Sequence, residues 1–278
     1  MEITYTESQK NRLTELGYEV EDKKFDSIKE RESDYKKIER EMVVQNKNKL
    51  NNLLEIEHRP KLCQLQEILA KALCEKGFTQ VTTPTIITAK ALEKMTVDES
   101  SQLYKQVFWL DKKSCLRPML APNLYQVSSQ LLNTKKLPLR LFEIGSCFRK
   151  ESEGNSHLKE FTMLNLVEWG TPIEERVDRL KELAEYVLEA TGITDYNLEE
   201  ENSVVYGDGI DVVSSTGLEL ASTSMGPHPL DDAWKINCSW VGLGFGLERL
   251  LMYREKELGI HRYSKSLTFL DGACMKIK

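Results

Sequence analysis

Apolar positions recur at different spacings along this chain, and each spacing predicts a different element. Near the start, Thr6-Glu7-Ser8-Gln9 has the form of a capping box. Leu13 and Leu16 follow before Gly17, which predicts a short first helix. Residues 26–54 alternate Lys, Arg, Glu and Asp with few apolar positions, which predicts a long solvent-facing helix too polar to make a core of its own. Arg59-Pro60 interrupts the pattern, because proline disfavours helical backbone in the residue before it. From Leu62 the residues Leu65, Ile68, Leu69, Ala72 and Leu73 return to helical spacing, with Gly77 as a C-cap. A strand over 78–83 then ends at Pro84, which cannot donate to a ladder.

Further on, 106–110 and 114–116 flank Asp111-Lys112-Lys113 as a hairpin, and Pro122 opens a helix carrying Leu124 and Tyr125. Two β-rich apolar runs, 141–145 and 161–167, enclose a polar segment, 151–160. Thr171-Pro172-Ile173-Glu174 combines a capping box with a proline at the first helical position, predicting a helix to Thr191-Gly192. Short strands follow at 204–206, 210–213 and 218–222. A glycine-spaced strand, Gly242-Leu243-Gly244-Phe245-Gly246, leads into a helix beginning Leu247-Glu248-Arg249. Strands and helices without regular alternation predict an α+β fold, an antiparallel sheet flanked by helices. The chain divides into a helical extension, 1–57, and a larger unit, 58–278.

A chain of 278 residues, 40% hydrophobic, can bury a sizeable core. Its formal charge of -6 argues against a protein that coats nucleic acid indiscriminately, although local basic runs at 36–40, 47–49 and 135–140 can still face RNA. The six cysteines, Cys63, Cys74, Cys115, Cys147, Cys238 and Cys274, include no CxxC pair, and the four histidines are dispersed, so no zinc site is readable. The expectation is a cytoplasmic protein with reduced thiols and no membrane partner, since neither a secretory leader nor an apolar run of transmembrane length stands out.

Two arginines carry the chemistry. Arg149 closes the first β-rich run at the entrance to a charged loop, and Arg249 begins a helix just after the glycines. There, missing side chains admit a ligand to the backbone, and a helix N-terminus favours an anion. The glycine spacing is not GxGxxG, which rejects a dinucleotide site.

Arg117-Pro118-Met119-Leu120-Ala121-Pro122-Asn123-Leu124-Tyr125, the stretch 142–165, Val205-Tyr206-Gly207-Asp208 and the stretch 240–250 together resemble the catalytic domain of the pyrrolysyl-tRNA synthetase family, class II aminoacyl-tRNA synthetases. The resemblance runs from about His58 onward. The helices before it resemble the N-terminal part of the short stand-alone catalytic form found in some archaea, with no counterpart of the separate small tRNA-binding domain of longer archaeal enzymes. It implies ATP-dependent activation of pyrrolysine, or an Nε-acylated lysine, and its ligation to tRNA(Pyl). It also implies Mg2+, a homodimer formed through the helix and strand of 62–83, and tRNA contact by the extension.

Residue roles come with the resemblance. Arg149 would hold the α-phosphate and the amino-acid carboxylate, and Arg249 the γ-phosphate. Arginine suits both because its planar fork makes bidentate, charge-assisted bonds. ATP would also meet Glu151, His157, Leu158, Phe161, Met163, Glu219 and Gly244, with Glu219 and Ser222 as metal ligands. Ala121, Leu124, Tyr125, Ser128, Asn165, Val167, Tyr206, Ser224 and Trp240 would form the amino-acid pocket. Asn165 and Tyr206 are neutral donors suited to a neutral ligand, whereas a buried free lysine needs a carboxylate. Ser128 and Ser224 depart from the larger or apolar residues usual in the family, which predicts a wider pocket and a broader range of acylated lysines. Two rivals stay open: another class II amino-acid activating ligase, and a catalytically silent relative that binds tRNA or amino acid.

Overall fold

The capping box at Thr6 forms: Thr6 Oγ1 accepts from Gln9 N–H, and the Gln9 side chain accepts from Thr6 N–H. Gly17, at φ 93°, ends helix α1 (Glu7–Leu16) in the left-handed region. Ser27 caps helix α2 (Ile28–Glu55). This computed structural model describes residues 2–134, 136–150, 157–203, 207–257 and 259–277. The expectation for residues 26–54 holds, since α2 buries Asn46 alone among its described residues, and the small core of the extension has its buried members outside that helix. Leu13 of α1 packs with Tyr5 and Phe25, and Tyr35 and Ile38 of α2 close over them. An apolar stripe of two residues three apart is enough to dock a helix yet too sparse to stand out among charges. Asn46 of α2, 2% exposed, ties the extension to the far end of the chain, donating to Leu16 O at 2.8 Å and accepting from Cys274 N–H at 2.7 Å.

Helix α3 (Lys61–Glu75) starts after Pro60 and buries Leu62, Leu65, Leu69 and Leu73. Strand β1 is only Thr79–Gln80, shorter than the predicted 78–83. Strand β2 (Ile86–Thr88) and the short helices α4 (Ala89–Glu93) and α5 (Gln102–Gln106) precede β3 (Ser114–Leu116). Here the predicted hairpin forms in part, with an isolated antiparallel bridge between Trp109 and Cys115. Asp111 does make the turn, accepting from the N–H groups of Lys113 and Ser114, and bonds join 108–110 to 114–116, but the ladder partner of β3 is β2. Ser101 caps α5 through Tyr104 N–H and takes the start of the expected first strand into a helix.

Helix α6 (Ala121–Leu131) carries Pro122 in its first turn. Strands β4 (Leu139–Phe148) and β5 (Glu160–Trp169) follow, each longer than its predicted run. The capping box predicted at Thr171 does not form, since the Thr171 hydroxyl turns to Glu168 and a 3-10 turn (Ile173–Glu175) leads into helix α7 (Arg176–Thr191). Strands β6 (Tyr196–Ser203), β7 (Gly207–Ser214) and β8 (Glu219–Gly226), the short helix α8 (Asp231–Trp234), β9 (Trp240–Gly246) and helix α9 (Leu247–Arg254) come next. The small pair β10 (Phe269–Leu270) and β11 (Ala273–Cys274) closes the chain. The strand expected at 204–206 lies outside the described residues.

The main sheet has seven strands in the order β1-β4-β5-β9-β8-β7-β6. Its β1–β4 pair is parallel and the other pairs are antiparallel, so the sheet is mixed, where the sequence predicts an antiparallel one. Strand β6 escaped sequence reading because it is polar, a composition that suits the edge it occupies. Side chains alternate across the central strands. Phe142, Leu164, Leu166, Leu243 and Phe245 meet α3, α7 and α9 on one face. Leu141, Val167, Trp169 and Trp240 belong to a second cluster, with Leu124 and Tyr125 of α6.

Candidate active site

The sheet face that carries Asn165 and Val167 holds two adjoining cavities, the smaller reaching the first turn of α9, and strand register explains their floor. Asn165 and Val167 of β5 pair with Gly244 and Gly242 of β9, which in turn pair with Ser222 and Ser224 of β8. The glycines leave the middle of this row open. A Cβ on Gly244 would stand 3.4 Å from Asn165 Nδ2, and one on Gly242 would stand 3.3 Å from the Trp240 ring. The larger cavity is about 470 Å³ and the smaller about 230 Å³, and Arg149, Met163, Glu219, Ser222 and Gly244 line both.

The predicted residues divide between them. His157, Leu158, Phe161 and Arg249 line the smaller cavity. Ala121, Leu124, Tyr125, Asn165, Val167, Ser224 and Trp240 line the larger one. Glu151 and Tyr206 lie outside the described residues. Ser128 is corrected, being wholly buried behind the wall, where its Oγ accepts from Trp169 Nε1 at 2.8 Å. Its hydroxyl faces the Trp169 indole, and Ser128 lines neither cavity. Sequence reading missed Trp169, Met119, Asp211 and the α5 residues Gln102 and Gln106, all on the larger cavity. Trp169 was legible in principle, two residues beyond the predicted strand and on the same face as Val167.

Arg149 is aimed by two neighbours. Its Nε donates to Pro118 O at 2.9 Å, and its guanidinium lies 5.3 Å from the centre of the Phe161 ring. Arg249 Nη1 donates to Glu219 O at 2.9 Å and stands 3.6 Å from Glu219 Oε2, an ion pair too exposed to contribute much stability. Glu219 and Ser222 are three residues apart, a spacing that puts side chains on opposite faces of a regular strand. A bulge corrects the phase. Val212 pairs with Ala221 but Val213 pairs with Glu219, so β8 carries an extra residue and Glu219 joins Ser222 over the cavities. Asn165 Oδ1 is buried and has no hydrogen-bond partner among the described residues.

Glu248, 1% exposed, also lines the smaller cavity, and both its oxygens accept from Thr162 N–H at 2.9 Å. Burial pushes its carboxyl up to about 7, against the opposing pull of that N–H. An unfolded glutamate ionises near 4.5. The group is therefore neutral in the fold and charged out of it between these values, and its contribution to stability falls as pH rises from about 4.5 to about 7. Glu248→Gln should flatten this part of the profile. A series of melting temperatures over this range, wild type against variant, should converge towards acid and separate in the variant's favour towards neutrality.

The chain has matches among known proteins. The family model described as "Phenylalanyl tRNA synthetase beta chain CLM domain" matches residues 54–213, more than half of the chain. Threonine--tRNA ligase of Wolbachia pipientis subsp. Culex pipiens is 30% identical over 98 residues, 34% of this chain and 15% of that protein. O-phosphoserine--tRNA(Cys) ligase of Methanococcus maripaludis is 26% identical over 159 residues, 54% of this chain and 29% of that protein. The chain thus spans less than a third of the length of either relative. Fold, cavities and these matches define the catalytic fold of a class II aminoacyl-tRNA synthetase. Two solved structures of pyrrolysyl-tRNA synthetase from Desulfitobacterium hafniense superpose with TM-scores of 0.92 and 0.90, at 52% and 50% identity, covering 99% and 98% of this chain and 99% and 95% of theirs. The chain belongs to the pyrrolysyl-tRNA synthetase family.

Proposed function

We propose that this chain activates pyrrolysine, or a closely related Nε-acylated lysine, with ATP and ligates it to tRNA(Pyl). The observation that carries the reading is Arg149 on the boundary of two cavities, one with a buried amide oxygen at Asn165 that has no partner among the described residues, and the other lined by Arg249. Activation joins a carboxylate oxygen to the α-phosphorus and expels pyrophosphate. It asks the protein for alignment and charge neutralisation, not for a nucleophile. On this reading Arg149 binds the carboxylate and α-phosphate together, Phe161 supports the adenine as well as the guanidinium, and Arg249 and His157 meet the distal phosphates.

Among the described residues no group of three His, Cys, Asp or Glu side chains gathers to hold a metal. Glu219 and Ser222 still fit magnesium, which keeps waters and takes oxygens from substrate phosphates. When bound, the ion would supply neutralisation of phosphate charge. The pairing of Val212 with Ala221 sets Asp211 beside Ser222, so the carboxylates Asp211 and Glu219 stand at the phosphate end, while the Trp169–Trp240 end is neutral. That polarity suits an amide-bearing side chain better than an ammonium. We further assign the extension, 1–57, to tRNA contact, the α3 and β1 region to a homodimer interface, and the chain to the cytoplasm. No helix among the described residues is long and apolar enough to cross a membrane.

Exchange of ATP with labelled pyrophosphate tests the reaction, with pyrrolysine, Nε-acylated lysines, lysine and phenylalanine offered separately. Exchange with pyrrolysine or its analogues alone is expected. Exchange with phenylalanine, or with no amino acid at all, would transfer the site to one of the rivals.

A further inference from the structure

Three aromatic side chains, Tyr125, Trp169 and Trp240, wall the neutral end of the larger cavity. Each has one polar hydrogen, and each gives it to a buried acceptor that is not itself on the cavity surface. Tyr125 Oη donates to Asp231 Oδ1 at 3.0 Å, Trp240 Nε1 donates to Asp231 Oδ2 at 2.9 Å, and Trp169 Nε1 donates to Ser128 Oγ at 2.8 Å. Asp231 is 3% exposed, and its Oδ2 takes a further bond from His228 N–H at 2.7 Å. The rings also touch one another, with centroids 5.3 Å apart for Tyr125–Trp169, 5.4 Å for Trp169–Trp240 and 5.9 Å for Tyr125–Trp240. Opposite them β8 gives way, since a Cβ on Gly226 would lie 1.9 Å from Trp240 Nε1.

Buried acceptors of this kind do more than add stability. A ring fixed only by packing can hop between rotamers, whereas a buried N–H or O–H with one acceptor has one satisfied orientation and a penalty for leaving it. Ser128 adds a steric condition. Its hydroxyl and its small volume together admit the Trp169 indole, and a longer apolar side chain at 128 would take the same space and remove the acceptor.

We propose that Asp231 and Ser128 are positioning residues that determine amino-acid specificity, holding Tyr125, Trp169 and Trp240 so that Trp169 limits the length of the Nε-acyl group the pocket accepts. This rests on the reading of the larger cavity as an Nε-acyl-lysine pocket. Asp231→Asn, Ser128→Ala and Ser128→Thr in the full chain test it. Asp231→Asn and Ser128→Ala should raise the KM for the amino acid about tenfold while the KM for ATP stays within about twofold, as expected for the loss of one buried bond. Both should shift relative kcat/KM from Nε-acetyl-lysine towards Nε-benzyloxycarbonyl-lysine, and Ser128→Thr, which keeps the acceptor but adds a methyl to a wholly buried site, should shift it less than Ser128→Ala. Equal losses for both substrates alongside a fall in Tm, or an unchanged acyl ratio, would overturn the inference.

A readout independent of activity separates this from failure of the parent reading. The indole N–H resonances of Trp169 in Ser128→Ala and of Trp240 in Asp231→Asn should move and exchange faster with solvent. If they do so in a protein that activates none of these amino acids, the positioning role stands and the substrate class falls. If they do not move, the positioning role itself is wrong.

Discussion

Arg149→Ala should lower amino-acid-dependent pyrophosphate exchange by about 10²- to 10³-fold or more, the scale of losing a preorganised donor to developing charge. The fold should survive. Arg149 is at the end of β4, where one edge of its guanidinium is spent on Pro118 O and one face on Phe161, and losing those contacts costs about 1 to 2 kcal/mol. Both substrates should be affected together, because Arg149 lines both cavities. Arg149→Lys should recover little of the loss, since an ammonium is a point charge and cannot bridge a carboxylate and a phosphate as a planar fork does. Exchange at more than a tenth of the wild-type rate in the alanine variant would remove Arg149 from the reaction.

That prediction uses a residue legible in the sequence, and the reason is local. Arg149 follows an apolar run that could only be a strand, and Gly242, Gly244 and Gly246 alternate with large apolar residues, so a strand with one bare face is written into consecutive positions. Helices α1 and α3 were legible for the same reason, with their caps and apolar stripes inside one window. What escaped depended on partners distant in the chain. Ser128 reads as a pocket wall until Trp169, beyond a strand and its loop, occupies the space beside it. Glu219 and Ser222 share a face only because pairing with β7 forces a bulge, which no pattern within 219–222 contains. Strand β1 looks like any short apolar strand, and only its docking beside β4 makes the sheet mixed. The core of the extension was missed because Tyr5, Phe25, Tyr35 and Ile38 come from three separate stretches.

The largest effect on stability should come from Glu143→Ala, which we expect to cost about 3 to 5 kcal/mol, the penalty for leaving one member of a buried ion pair alone. Glu143 and Arg117 have side chains 1% and 4% exposed, with Nη1 2.8 Å from Oε1. Both have further partners: Glu143 also accepts from Thr83 N–H at 3.0 Å and Thr83 Oγ1 at 2.7 Å, and Arg117 Nε donates to Ser146 O at 2.8 Å. Gly145 makes room for the pair, because a Cβ there would stand 2.2 Å from Arg117 Nη2. The network also holds the strand end that leads into Arg149. Arg117 O accepts from Phe148 N–H at 2.9 Å, and the next carbonyl, Pro118 O, is the one that aims Arg149. Glu143→Ala should therefore shift the urea midpoint strongly and, at a temperature where the variant is folded, also lower kcat. The double variant Arg117→Met with Glu143→Leu removes both charges and should regain much of the stability. It should not regain kcat, since no guanidinium remains to fix the Arg117-Pro118 backbone. A Glu143→Ala protein within about 1 kcal/mol of wild type would mean that water reaches Arg117 in solution, because only hydration could replace the carboxylate at so small a cost.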